Sequence, residues 1–198
     1  MSLVSHLLIK QQFIIFFFLI EYTISFCQLN KLKDLTGFRN SKWGSTVNEV
    51  KSSEHEYYLQ SFSGFGIYSL SYTSRFAGLK TRIDYTFKNG KLVEGTYTFK
   101  PNGDAKSDFK LLQSNLISDY GEPTIKVKPY IDYDSIWVEV TKYGRYRGPE
   151  LYWKFNNGFI ALIASKFEED ITLVILFSNS KSIEEYNRDR EVSTENVF

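Results

Sequence analysis

The chain has 198 residues, a formal net charge of +1, one cysteine and two histidines, with 42% hydrophobic and 17% aromatic residues. Balanced charge argues against nucleic acid as a partner, which would call for a basic excess, and against an acidic, disordered role. One cysteine leaves no disulfide framework, so a stable fold must come from burial.

The elements follow in chain order. Lys10 precedes an apolar run, Phe13–Ile20, which Glu21 and Tyr22 interrupt. Roughly eight to fifteen apolar residues behind a positive charge form a signal-peptide core, whereas a membrane-spanning helix needs about 20. Residues 1–27 are therefore expected to be a signal peptide, and an uncleaved anchor is the alternative that upstream Leu3, Leu7, Leu8 and Ile9 keep open. Cys27 admits two readings. Cleavage after it, with Ser25 and Cys27 as the small residues, starts the mature chain at Gln28. Cleavage before it makes an acylated lipoprotein cysteine and a membrane tether, although Phe26 fits that site poorly. Both imply export to the periplasm or beyond.

Residues 28–40 read as a leader, 41–178 as one domain and 179–198 as a polar tail. Ser45 as N-cap, with Val47 and Val50 on one stripe, predicts a short helix over 46–54, and Trp43 ahead of it can staple the first turns. The glycines of Gly64-Phe65-Gly66 read as a loop entering a strand. Alternation at Tyr68, Leu70 and Tyr72, and again at Ile83, Tyr85 and Phe87, predicts half-buried strands. Asn89-Gly90 then marks a hairpin, and Val93, Tyr97 and Phe99 continue the inward face. Phe109, Leu112, Leu116 and Tyr120 recur at helical steps, ended by Gly121 and Pro123. Strands are expected over 125–127, 136–140, 151–155, 159–164 and 171–177, with Asn157-Gly158 as a second hairpin turn.

The stretch Tyr85 to Leu92 aligns without gaps on Trp153 to Ile160. The fold class expected is α+β: one antiparallel sheet with two helices on one face, read as two fused helix-then-strands units. The competing explanation is that any two Asn-Gly hairpins look alike.

Gly44-Ser45-Thr46-Val47-Asn48-Glu49-Val50 and Tyr120-Gly121-Glu122-Pro123-Thr124 carry a resemblance. Together with the tandem units, they resemble the β-lactamase-inhibitor-like fold shared with the outer-membrane assembly lipoprotein family, over roughly residues 40–178. The first helix lacks the Gly-x-Pro that follows the second. The resemblance implies a non-enzymatic, partner-binding envelope domain, and it carries over no individual binding residue.

Catalytic constellations are sparse. His55 alone lies beyond the signal segment, in a Glu-rich stretch typical of an exposed helix end. One histidine without cysteine does not make a zinc site, and Asp132-Tyr133-Asp134 lacks the remaining calcium-loop ligands. No metal or cofactor is expected. Carboxylates for glycoside hydrolysis exist at Asp84, Glu94, Asp132 and Glu139. The most unusual surface segment is 142–148, where Tyr143, Arg145, Tyr146 and Arg147 interleave the two residue types enriched at binding hot spots. It reads as a long hairpin loop. The expected function is a non-enzymatic, exported envelope or periplasmic interaction module whose partner is another envelope protein. An envelope glycan hydrolase is the alternative.

Overall fold

A computed structural model describes residues 34–64, 66–101, 103–127, 139–140, 145–167 and 170–180. The signal segment with Cys27, the Asp132 and Tyr143 positions, and the tail from residue 181 lie outside them. The strands are β1 (Gly37–Phe38), β2 (Ser41–Lys42), β3 (Tyr57–Gly64), β4 (Ile67–Phe76), β5 (Leu79–Lys88) and β6 (Lys91–Phe99). They continue as β7 (Ile125–Val127), β8 (Glu139–Val140), β9 (Arg145–Phe155), β10 (Gly158–Phe167) and β11 (Asp170–Ser178). The helices are α1 (Val47–Ser53) and α2 (Ala105–Tyr120). This is an α+β fold.

Nine strands form one sheet in the order β3-β4-β5-β6-β11-β10-β9-β7, with β8 also paired to β9. Every pairing is antiparallel. β1 and β2 make a separate small hairpin.

Register explains the core. Because successive side chains point to opposite faces, one row across the sheet reads Ser61, Leu70, Tyr85, Gly95, Phe177, Ile160, Trp153. All but Ser61 and Gly95 belong to the main buried cluster, which Val50 of α1 and Phe109, Leu112 and Leu116 of α2 complete. The adjacent row on the opposite face reads Gln60, Ser71, Asp84, Thr96, Leu176, Ala161, Tyr152, Ile125. That face is mostly polar over β4 to β6 and apolar over β9 to β11, where Tyr152, Phe159, Ala161 and Leu176 are a second buried cluster. Strand β10 is consequently apolar without interruption from Phe159 to Ala164, as burial on both faces requires.

The helix ends follow capping chemistry. Thr46, one residue beyond the expected Ser45, caps α1: its side chain accepts from Glu49 N–H while the Glu49 carboxylate accepts from Thr46 N–H. Asp104 caps α2 at its start, and Gly121, with φ +81°, donates its N–H to the Ile117 carbonyl at the end. The Trp153 indole N–H then donates to the Gly121 carbonyl at 2.7 Å, tying the helix end to β9.

Four sequence expectations shift. Residues 34–40, read as leader, contribute Leu35 and Phe38 to the core. The inward residue of β6 is Leu92 and not Val93, because a bulge sets Phe87 opposite Leu92 and Thr86 opposite Glu94. The second hairpin turns at Asn156-Asn157, since Gly158 already pairs with Phe155; the first does turn at Asn89-Gly90, with φ +52° and +73°. Finally, β3 occupies a stretch for which no strand was expected.

Candidate functional site

Two features stand out around α1 and β3. The first is a buried polar knot. Glu54, just past α1, keeps only 1% of its side chain exposed. Arg39 reaches it from the β1–β2 turn, where it holds φ +52°, and its Nε lies 3.0 Å from Glu54 Oε2. Tyr85 of β5 donates its hydroxyl to the same oxygen at 2.5 Å. The backbone N–H groups of His55 and Glu56 donate to Oε1 at 2.9 and 3.1 Å. Arg39 also pairs with Glu56 at 3.2 Å, and Glu56 accepts from the Ser74 hydroxyl. The guanidinium lies 5.9 Å from the centre of the Tyr97 ring.

Burial by itself would raise the Glu54 carboxyl. The Tyr85 hydroxyl, the Arg39 guanidinium and the two backbone N–H groups outweigh it and hold the carboxyl below its usual range. Burial first, and the bond to Glu54 second, push the Tyr85 phenol well up, so it stays a neutral donor. Every oxygen of Glu54 is engaged by the protein. The knot is thus a clamp joining the β1–β2 turn, α1 and the sheet, and it leaves neither Glu54 oxygen free for a substrate.

The second feature is β3. It ends the sheet and pairs only with β4 among the described residues. Tyr57, Tyr58, Leu59 and Phe62 are 73%, 46%, 45% and 50% exposed, and Ile67 at the start of β4 is exposed beside them. No residue from Tyr57 to Gly64 carries a charge. A bulge between Tyr58 and Gln60 sets Leu59 out of register. A shallow hollow of about 280 Å³, lined among others by Ser63, Ile67, Tyr68, Phe87 and Gly90, lies at the far end of the strand. It has no charged lining residue and falls below the 300–1,000 Å³ usual for a small-molecule site.

Residues expected to bind a partner are differently arranged. Arg145, Tyr146 and Arg147 belong to strand β9 and not to a loop, facing Phe167, Lys166 and Ser165 of β10 in register. Arg147 and Tyr146 also pair with Glu139 and Val140 of β8. Of the candidate carboxylates, Asp84 accepts from the Ser71 hydroxyl and pairs with Arg82 at 2.8 Å on the polar sheet face. Glu94 lies opposite Thr86, which places it a diagonal step from Asp84 across the β5–β6 pair. His55 is exposed, as its surroundings in the chain suggested.

The sequence reading missed β3 for a physical reason. Tyr57, Tyr58 and Leu59 run consecutively, and the bulge breaks the alternation with Phe62 that marks a strand. The Arg39–Glu54 pair has no local signature at all, because a fold must bring the two together. Compared with known protein families, curated proteins and solved structures, the chain matches none.

Proposed function

We propose that this chain is an exported, non-catalytic interaction module of the cell envelope, engaging protein through the rim of its sheet. One observation carries the reading: four of the large exposed apolar side chains gather on β3, a strand whose outer hydrogen-bonding edge has no partner among the described residues. Such an edge presents unpaired backbone N–H and C=O groups to an incoming strand. The engagement of both Glu54 oxygens by the protein is consistent with a structural use of that buried carboxylate.

The resemblance to tandem envelope domains enters the same proposal. The order α1-β3-β4-β5-β6 is followed by α2-β7-β8-β9-β10-β11, and the last strands of the two halves, β6 and β11, lie side by side. We read them as two helix-then-strands units joined at that seam, with both helices on one face. Tyr143, Arg145, Tyr146 and Arg147 remain the proposed contact for another envelope protein, the last three of them on β9. Export through residues 1–27, with Cys27 either spent in cleavage or acylated, belongs to the proposal as well.

In-cell cross-linking of the tagged full-length chain, with mass spectrometry of the catch and of its N-terminus, tests it. A reproducible protein partner, this chain itself included, and Gln28 or an acylated Cys27 as first residue are expected. A catch with no reproducible protein, or an unprocessed Met1 in a soluble cytoplasmic fraction, would overturn it.

A further inference from the structure

Resting on that reading, we infer that the protein seated on β3 is a second copy of this chain, added strand to strand so that the sheet continues across a two-fold axis. Isolated apolar side chains on a surface are ordinary; four large ones on one eight-residue edge strand are not. Natural edges are commonly blunted by lysine, proline or inward charges. β3 has none of these; a bulge, which can also blunt an edge, is confined to Leu59 and leaves Gln60 to Gly64 in regular register. Five regular residues suffice for an antiparallel ladder between two copies.

Charge favours self-pairing. A two-fold antiparallel contact sets residue i of one copy against residue j of the other and j against i. Only the residue on the axis, Phe62 at the centre of Gln60 to Gly64, meets its own counterpart, so a charged strand would face its own charge pattern. Tyr57 to Gly64 carries none, and the nearest acidic group, Glu56, is already paired with Arg39. Area supports it too. At about 200 Å² for a fully exposed large side chain, and somewhat less for Leu and Ile, the exposed fractions of Tyr57, Tyr58, Leu59, Phe62 and Ile67 amount to roughly 450 Å². Two copies double this, and with their strand backbones the total reaches the roughly 1,000 Å² that a specific interface needs. The alternation of Phe62 with Ser61 and Ser63 lets facing strands approach without crowding.

The test is sedimentation equilibrium of the exported chain, with Phe62→Lys and Phe62→Glu variants. Phe62 is half exposed and outside the buried clusters, so both variants should keep the wild-type melting temperature within about 2 °C. The wild type is expected to be dimeric at micromolar concentration. Each variant alone should dimerise roughly a hundredfold more weakly, because like charges then face one another. An equimolar mixture of the two should recover dimers, which only contact between copies across this strand can produce. A wild type monomeric at about 50 µM, or dimers untouched by both substitutions, would overturn the inference. If the monomer instead captures another envelope protein and loses it on Phe62→Lys, the second copy falls while the interaction-module reading stands. A monomer that captures nothing ends both.

Discussion

Replacing Arg39 by alanine tests whether the polar knot clamps the fold. The variant leaves the Glu54 carboxylate 1% exposed without its cation. Removing one partner of a buried ion pair costs about 3–5 kcal/mol. Arg39 is itself partly exposed, at 18% of its side chain, and Tyr85 with two backbone N–H groups still serves the carboxylate. The lower end, about 3 kcal/mol, is therefore expected. For a domain of this size each kcal/mol moves the melting temperature by about 2–4 °C, so calorimetry at neutral pH should show a fall of about 6–12 °C. The pH dependence sharpens the test. In the wild type the carboxyl sits below its usual range, so its contribution is complete above an unfolded pKa of about 4.3 and is lost as pH falls through the lower folded value. Without Arg39, one of the groups that offset burial is gone, so the folded carboxyl rises from its wild-type position. The penalty is then greatest at neutral pH and shrinks as the pH falls through the raised value. Scans near pH 7.5 and 3.5 should thus show the gap between variant and wild type narrowed on acidification. An equal gap at both pH values, or none, would refute the clamp. Glu54→Gln combined with Arg39→Met removes both charges and should cost less than the two single changes added together.

Two further changes probe the frame around the site. Gly95 lies under the Phe38 ring, and a Cβ there would collide with it; Gly95→Val should lower stability by about 1–3 kcal/mol through overpacking. Denaturant unfolding should also show that trimming Phe38 to alanine makes the Gly95→Val change cheaper than in the wild type. Thr46→Ala removes the cap of α1 and should cost about 1 kcal/mol. Hydrogen exchange should then quicken at the Glu49 N–H, which the Thr46 hydroxyl accepts, and leave β10 and β11 unchanged.

Local chemistry made much of this chain legible from its sequence. Helix stripes at Val47/Val50 and Phe109/Leu112/Leu116, the Gly121 stop and the Asn89-Gly90 turn each depend on residues within one or two turns of chain. So do the inward tyrosines Tyr72, Tyr85 and Tyr97, which are buried as their alternation implies. What sequence left undecided depends on partners distant along the chain. The bulges at Leu59 and at Leu92-Val93 arise from fitting one strand to its neighbour, and each moves side chains between faces without any residue announcing it. The Asn156-Asn157 turn is one residue away from the Asn-Gly pair because the ladder with β9 sets where the hairpin closes. Arg145 to Arg147 became strand because β8 and β10 both offer them backbone partners. The meeting of Arg39 with Glu54 and Tyr85, and the exposure of β3, exist only once strand order is set. Composition and periodicity determined that this chain would build an antiparallel sheet with helices packed on it. Tertiary structure alone decided which strand stands at the edge among the described residues, since an edge depends on which strands lie beside it and no stretch of sequence encodes that locally.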